Sequence, residues 1–462
     1  MTRLRLSLLL SFLVMTSAQA QEGLLEIYER ALMNDPALRE AEAQFLATSE
    51  VKAQARSAIM PTLSFSASQS DSSSTTDAPQ DPITGQPDPN FLETEADSES
   101  SNFSLNLNQT IFNWGSYLSL KQADKTIMRA ETTLAAAQQD LIMRVATAYF
   151  NVLSAEDLLA ADIAARDALE LQREQAEQQF EVSLIPITDV QEARAGYDQA
   201  AAQVIGSERT LAAARESLRE IISDYVTGLR APIEELPLVS PDPEDVDSWV
   251  EAAQGQNLSL IASRIAADIA DDDVSISRSN RFPTLSLSAS SSDRSSTAST
   301  TTFLTAGGTL PGSGLPRESG GDSASISLSL SVPIFNGGAN GSRVRQAVQQ
   351  RRAAIESVER VARQTERQTR DAYLGVTSEI SRVQALQQAL ESAQLALQAT
   401  EAAEEVGQRT RVDVVNALNS VRRAETQYAS ARYEYLMNIL RLKQAAGSLS
   451  ESDLIEIDDW LE

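Results

Sequence analysis

Residues 325–338 read Ser-Ile-Ser-Leu-Ser-Leu-Ser-Val-Pro-Ile-Phe-Asn-Gly-Gly, and this stretch decides the fold. Aliphatic residues from Ile326 to Val332 alternate with serines, so a strand built from them has one apolar face and one polar face. Pro333 then removes a backbone donor, and the final glycine pair permits a sharp turn. An Ala-, Gln- and Arg-rich helical pattern follows at once. The sequence therefore predicts a two-faced strand that leads directly into a long helix.

This arrangement occurs twice in the chain. Residues 61–68, Pro-Thr-Leu-Ser-Phe-Ser-Ala-Ser, return as Pro-Thr-Leu-Ser-Leu-Ser-Ala-Ser at 283–290, an offset of 222 residues from 61 to 283. Two further landmarks recur at nearly the same offset: 111–115 at 334–338 and 187–190 at 411–414. Three landmarks at one spacing indicate an internal duplication of about half the chain.

The composition excludes several classes of function. The 462 residues contain no Cys and no His, which removes disulfides, thiolate metal sites and the commonest catalytic base. Neither a nucleophile motif nor a cluster of metal ligands is present, so we expect no enzyme, no metal and no cofactor. The net charge of −27 argues against a nucleic-acid partner, because phosphate binding needs a basic surface.

The first 20 residues have the pattern of a secretory signal peptide. Arg3 and Arg5 supply the charged region, residues 6–15 the short apolar core, and Ala18-Gln19-Ala20 the cleavage site. No later apolar run approaches the roughly 18 residues that a membrane-spanning helix needs. We therefore expect an exported chain with a signal peptide at 1–20, and any membrane entry through strands.

The remaining chain is predicted to form two structural repeats and an acidic C-terminal tail. Each repeat begins with a helix and continues with a strand hairpin and a helical hairpin. The first repeat is predicted at 21–230, with its strand hairpin at 61–113 and its helical hairpin at 116–227. A proline-rich linker follows at 231–247. The second repeat is predicted at 248–447, with its strand hairpin at 283–335 and its helical hairpin at 339–446, and the tail at 448–462. Residues 71–101 and 291–322 are interpreted as long exposed loops at the strand hairpins.

The helical hairpins are expected to be coiled coils. The uninterrupted pattern after Gly115 would extend about 100 Å at about 1.5 Å per residue, which is too long for a globular core. Apolar residues between Leu134 and Leu159 alternate in steps of three and four, as in a coiled-coil seam. The return helices repeat this rhythm with many alanines, so the paired helices can approach closely.

The strands raise a problem of closure. Four strands per chain cannot form a barrel, and an open sheet in lipid leaves backbone groups at its edges unsatisfied. Several chains must therefore share a barrel, and the residues alone leave both 12 strands from three chains and 16 from four open. Strands of about ten residues suit a tilted crossing, with Ile326, Leu328 and Leu330 facing lipid. The alternative is a soluble sheet in a secreted coiled-coil scaffold or adhesin without a channel.

Several sequence blocks resemble the TolC family of outer-membrane efflux ducts. They are Thr147-Ala148-Tyr149-Phe150-Asn151-Val152-Leu153, Ile187-Thr188-Asp189-Val190-Gln191, Pro283-Thr284-Leu285, Pro333-Ile334 and Ala431-Arg432-Tyr433-Glu434-Tyr435-Leu436. The resemblance covers nearly the whole mature chain. It implies an α+β homotrimer with a 12-stranded outer-membrane β-barrel, four strands per chain, that continues into a long periplasmic α-helical coiled-coil barrel.

The resemblance also implies a function and partners. The duct would stand in the outer membrane of a Gram-negative bacterium and extend into the periplasm. It would passively conduct small molecules or proteins for a tripartite efflux pump, a type I secretion system or both. Its expected partners are outer-membrane lipid, a periplasmic adaptor protein and an inner-membrane pump.

The helix starts near the hairpin turns carry the candidate site residues. Thr188 with Gln191, and Thr410 with Asp413, have the spacing of helix capping boxes, which is what the residues alone favour. The resemblance implies that this region also forms the closed periplasmic gate. The implied gate residues are Asp413 in an acidic constriction, Asn416 beside it, and Thr188, Asp189 and Arg409 in links that hold the tips inward.

The chain departs from the family pattern in this region. Asn416 replaces a second acid of the constriction, and Glu404 stands where an aromatic link residue is expected. The turns themselves match tips that contact the adaptor, although Ser183 replaces a glycine there. The implied tip residues are Val182, Ser183, Leu184, Val406 and Gly407. Ordinary helix-hairpin turns are the alternative interpretation of this segment.

Overall fold

Short and very long elements alternate in a computed structural model of the chain, which describes residues 21–462 except 78, 87, 89–91, 227, 234, 305–307 and 310–313. The helices are α1 (Leu24–Asn34), α2 (Pro36–Ser49), α3 (Val51–Ser57), α4 (Trp114–Glu181), α5 (Ile187–Ile222), α6 (Val246–Gln256), α7 (Leu258–Ser279), α8 (Ala339–Glu405), α9 (Arg411–Ala446) and α10 (Glu451–Asp458). The strands are β1 (Thr62–Thr76), β2 (Leu92–Phe112), β3 (Thr284–Leu304), β4 (Gly308–Thr309) and β5 (Arg317–Ser331). The predicted signal peptide at 1–20 lies outside the described residues.

The chain divides into two compact units. The helical unit takes its described residues from Met1–Leu46, Arg129–Ile265 and Ile355–Glu462, and the strand unit comprises Ala47–Met128 and Ala266–Ala354. Among the described residues, no helix combines the length and the apolarity that crossing a membrane requires.

The strand unit contains one antiparallel sheet in the order β1-β2-β3-β5, and the two-residue β4 pairs with the end of β3. Its register aligns the aliphatic residues in rows, because Leu107 lies opposite both Leu63 and Ala289, and Ala289 lies opposite Ile326. These residues therefore share one face of the sheet, as the alternation predicts.

The strands are longer and the loops shorter than predicted. Strands β1 and β5 have 15 residues and β2 and β3 have 21, whereas we expected about ten. The predicted loops at 71–101 and 291–322 are therefore partly strand. Serine hydroxyls bond across the ladder in this region, with 2.8 Å between the Oγ atoms of Ser72 and Ser98 and of Ser292 and Ser323. Such cross-strand pairs stabilise a ladder that composition alone suggests is loop.

The core of the helical unit follows the predicted coiled-coil seam. Leu141, Val145 and Val152 of α4 are at most 2% exposed, and Leu211 and Leu218 of α5 are buried with them. The helix predicted at the start of the second repeat is instead broken into α6 and α7. Asn257 ends α6, and its Oδ1 accepts the backbone N–H of Leu260 at 3.1 Å to cap α7.

The linker and the C-terminal segment are fixed to the helical unit. Within 448–462, helix α10 buries Leu454 and Ile457, so the acidic segment has an apolar face packed in the core. The hydroxyl of Tyr435 accepts the backbone N–H of Val239 at 2.7 Å, which anchors the linker. Tyr149 donates its hydroxyl proton to the carbonyl of Arg230 at 2.7 Å. Buried tyrosines thus satisfy backbone groups of a segment without regular structure.

Helices α5 and α9 both end in a left-handed residue. Ser223 has φ of 62° and Gly447 has φ of 83°, and 224 residues separate positions 223 and 447. A Cβ atom on Gly447 would lie 2.3 Å from the carbonyl oxygen of Gln256. Both the left-handed conformation and the close approach of the Gln256 backbone therefore favour glycine at 447. At Ser223 the left-handed conformation alone carries an energetic cost.

We expect Gly447→Ala to destabilise the helical unit by more than the roughly 1–2 kcal/mol of a left-handed non-glycine residue, because the backbone of Gln256 blocks the added methyl group. Ser223→Gly, the matched control, should stabilise the unit by up to about 1 kcal/mol. Thermal unfolding in detergent measures both changes. Shifts of the same sign in the two variants would contradict this reading.

Candidate functional site

The longest helix of each half, α4 in the first and α8 in the second, ends in a turn with the same backbone conformation. Ser183, with φ of 61°, and Gly407, with φ of 75°, adopt the left-handed conformation after α4 and α8. Leu184 N–H donates to the carbonyl of Gln179 at 2.8 Å, and Gln408 N–H donates to that of Ala403 at 2.8 Å. These bonds satisfy the last carbonyls of each helix. Ser183 thus takes the role that Gly407 has in the second half.

Aliphatic side chains project from these turns into solvent. Leu184 is 73% exposed, Val406 68% and Val182 65%. Apolar side chains so exposed on a short turn add nothing to the packing of this chain. They are therefore accessible to other molecules.

The start of α9 is a capping box. The Thr410 hydroxyl accepts the backbone N–H of Asp413 at 3.3 Å, and Asp413 Oδ2 accepts the backbone N–H of Thr410 at 2.9 Å. The capping role predicted for this pair is confirmed. The bonds from Thr410, with a contribution from the Arg409 charge, lower the pKa of Asp413 below its ordinary value. Asp413 is therefore a carboxylate at neutral pH in the single chain.

The start of α5 differs, and the capping box predicted from Thr188 and Gln191 is wrong. Pro186 occupies the N-cap position, the helix begins at Ile187, and no side-chain cap bond forms. Because the helix begins directly after Pro186, Thr188 lies inside the first turn and not at the N-cap position. The Thr188 hydroxyl donates to Asp189 Oδ1 at 3.2 Å instead.

The other gate residues lie on the same tips. Asn416 is exposed three positions after Asp413, on the same side of α9. Arg409 is exposed in the turn, and in the part of the chain that the structure describes it forms no ion pair with Asp189 or any other acid. A single chain thus assembles the cap of α9 but does not bring Arg409 to Asp189.

The sequence analysis missed Arg411, which joins the two helical hairpins. Its Nη2 donates to Gln179 Oε1 at 2.7 Å, its Nη1 donates to the carbonyl of Gln172 at 3.2 Å, and its Nε lies 3.4 Å from Glu404 Oε1. A positive residue at the first position of a helix opposes the helix dipole, so its presence signals a partner elsewhere. Glu404, identified above as a departure, is one such partner.

A second polar link lies further along the hairpins. The carboxylate of Asp162 in α4 is 1% exposed, forms an ion pair with Arg422 of α9, and accepts the hydroxyl proton of Ser207 in α5. Breaking a buried pair of this kind on one side costs about 3–5 kcal/mol. The signal in the sequence is an acid three residues after Leu159 on the apolar seam.

The predicted lipid-facing residues form one surface in the strand unit. Ile326 is 80% exposed, Leu330 66% and Leu328 65%. In the register they continue across the sheet into Leu285 and Leu287 of β3. The opposite face carries serines, whose hydroxyls pair across strands. A wide exposed aliphatic face on a sheet is the kind of surface that lipid or another apolar partner covers.

Comparison with known proteins agrees with this geometry. The family profile described as outer membrane efflux protein matches residues 27–223 and 249–448. The chain is 34% identical over 449 residues to outer membrane protein TolC of Escherichia coli, covering 96% of this chain and 86% of that protein. It is 27% identical over 434 residues to the alkaline protease secretion protein AprF of Pseudomonas aeruginosa, covering 94% and 86%. The crystal structure of the Campylobacter jejuni CmeC outer membrane channel superposes with a TM-score of 0.71 at 17% identity, covering 95% of this chain and 89% of that one.

The fold, with its two-faced four-stranded sheet and its paired helical hairpins, is that of an outer-membrane channel protein. Such a protein serves as an export duct. The chain belongs to the outer membrane efflux protein family, and its place is the outer membrane.

Replacing Arg411 by Leu should loosen the tips, because it removes three polar contacts and leaves Glu404 without its partner. Amide exchange at 172–182 and 404–412 should accelerate about tenfold, the effect of losing one charged hydrogen bond. Glu404→Gln should have a smaller effect, since the two bonds to α4 remain. Arg423→Leu is the matched control, because the bonds of Arg423 to described residues stay within its own helix. Unchanged exchange in Arg411→Leu would remove its linking role.

Proposed function

We propose that the chain is the passive export duct of a tripartite efflux pump, a type I secretion system or both, and that it works as a homotrimer without chemistry of its own. One observation carries this proposal. The sheet has an exposed aliphatic face and ends in two strands, β1 and β5, that each pair on one side only within the described residues. A family profile named for efflux and a relative named for protease secretion support both kinds of export.

The open edges favour assembly of several copies. A sheet in lipid must close, because unsatisfied backbone groups cost several kcal/mol each. Three copies joined from β1 to β5 would give a 12-stranded barrel with every edge paired. A secreted scaffold, the alternative, would have to bury the aliphatic face against protein, yet that face is exposed in the chain.

The proposed orientation places Ile326, Leu328 and Leu330 against outer-membrane lipid and the serines toward the lumen. The proposed division into repeats at 21–230 and 248–447, joined by a linker, is supported by the two separate segments that the family profile matches. The exposed aliphatic side chains at the turns support the proposal that the tips contact a periplasmic adaptor, which connects the duct to an inner-membrane pump.

The orientation of the strands can be tested with neighbouring substitutions. Leu328→Arg should cost about 2–4 kcal/mol near the middle of the membrane, whereas Ser329→Arg should cost far less because the lumen is wet. Light scattering in detergent should give three times the mature mass for the wild type and for Ser329→Arg, with loss of trimer in Leu328→Arg. A stable monomeric wild type, or the reverse order of defects, would contradict the architecture.

The gate proposal places three Asp413 carboxylates around the axis of the trimer. Both bonds from Thr410 are accepted by Oδ2, so the capping role is compatible with Oδ1 facing the neck. Three like charges in a narrow neck would raise the pKa of the Asp413 carboxyls and attract cations, whereas the bonds of the helix cap lower that pKa. Arg409, which forms no ion pair with an acid among the described residues, would pair with Asp189 of a neighbouring copy. The tips are thereby held inward.

We expect Arg409→Ser combined with Asp189→Ala to raise single-channel conductance in planar bilayers, because the proposed tie between copies is lost. Asp413→Asn should weaken cation preference and block by multivalent cations, while its amide group keeps an acceptor for the cap. Since Asn416 is uncharged, that block should be weaker than in a duct with two acidic rings. If both variants behave as the wild type, these residues serve only the helices on which they lie.

A further inference from the structure

The charges of the sheet are sorted by sign between its two faces. The register places eight carboxylates on the face that carries the aliphatic residues, nearer to the hairpin loops than the aliphatic rows are. They are Asp71, Glu93, Glu95, Asp97, Glu99, Asp293, Glu318 and Asp322. The serine face of β1, β2, β3 and β5 carries only two charged residues in these described strands, and both are arginines, Arg294 and Arg317.

In the described strands, no acid shares the face of the two arginines. Arg294 lies opposite Asn102 on one side and Gly321 on the other, and Arg317 lies opposite Ala298. Both side chains are exposed, and neither forms an ion pair with another of the described residues. Because neighbouring positions alternate between faces, Asp293 and Glu318 point away from Arg294 and Arg317 through the sheet. The positive charge of the serine face is therefore not neutralised locally.

The hairpin loop between β1 and β2 also carries acids. Of these, Asp81 is engaged by its own turn, where its Oδ1 accepts the backbone N–H groups of Ile83 at 2.7 Å and Thr84 at 3.1 Å. Asp77 and Asp88 lie in the same loop. The loop that carries these acids connects β1 and β2, whereas the arginines lie on β3 and β5.

We propose that Arg294 and Arg317 line the extracellular end of the lumen and make it selective for anionic groups. This inference rests on the proposed function, in which the serine face is the lumen and three copies surround it. Three copies would bring six guanidinium groups into one wet passage, in two levels about 13 Å apart along the strands. Rings of Arg or Lys select anions in pores, and guanidinium pairs well with carboxylate, sulfate and phosphate. The ligands are therefore small organic anions carrying such groups.

A single introduced cysteine can report the electrostatic potential near the two arginines, because the chain contains no cysteine of its own. Ser296 lies on the serine face between the two arginines, opposite Ser319. Ser296→Cys can be modified by two methanethiosulfonate reagents, one with a sulfonate and one with a trimethylammonium group. A positive electrostatic potential at the cysteine speeds its reaction with the anionic reagent and slows its reaction with the cationic one.

In full-length protein reconstituted at low ionic strength, adding Arg294→Ser and Arg317→Ser to Ser296→Cys should lower the ratio of anionic to cationic modification rates at least about threefold, and salt should shrink the effect. Reversal potentials in a salt gradient should shift toward cation preference, and block by citrate added at the loop side should weaken. The matched control adds Asp293→Asn and Asp322→Asn, which remove charges from the opposite face and should leave the ratio unchanged.

The outcomes separate this inference from the proposed function. A conducting wild type whose rate ratio and reversal potential do not respond to the arginine substitutions would overturn the inference and leave the duct intact. A ratio that responds to Asp293→Asn and Asp322→Asn as strongly as to the arginine substitutions would also overturn it. A wild type that forms no conducting channel would overturn the proposed function itself, and the inference with it.

Discussion

Among the described residues, β1 and β5 each pair on one side only, and their two open edges govern how the rest of the structure must assemble. Each edge strand presents N–H and C=O groups that lipid cannot satisfy. The alternation of serine and aliphatic residues gives the sheet one apolar face and one polar face. In the proposed duct these faces meet lipid and water, and closure with other copies satisfies the edges at the same time. In the proposed trimer, duplication within the chain and symmetry between chains therefore solve one problem together, because each half contributes one hairpin.

The two halves share a backbone design but divide the chemistry unequally. Left-handed residues end the long helices at 183, 223, 407 and 447, yet the first half uses serine and the second half glycine at both of its positions. At the tips, the second half carries the capping box and Arg411, whereas Pro186 occupies the N-cap position of the return helix in the first half. The first half thus supplies acceptors, Gln172 and Gln179, and the second half supplies the donor that joins them. The two hairpins therefore carry complementary groups near their tips.

Charge follows the same logic in the strand unit. The overall charge of −27 says little about the duct, because the register decides where each sign is displayed. Carboxylates lie on the aliphatic face beyond the apolar rows, and arginines lie on the serine face. Since a one-residue slip in register would exchange the two faces, the pairing of the strands is as important for the electrostatics of the duct as for its stability.

The sequence alone predicted the class of the long helices and of the strand segments next to them, the repeated pattern and the two faces of the sheet, because periods of two and of three to four residues are local properties that do not depend on packing partners. It also predicted the cap at Thr410, whose partner Asp413 is three residues away. Only the tertiary structure decided the length of the strands, where serine pairs from distant segments extend the ladder. The same holds for the break at Asn257, the burial of α10, and the contacts of Arg411 and Asp162. In these cases the deciding partner lies on another element, and the position of that element follows from packing rather than from any local pattern.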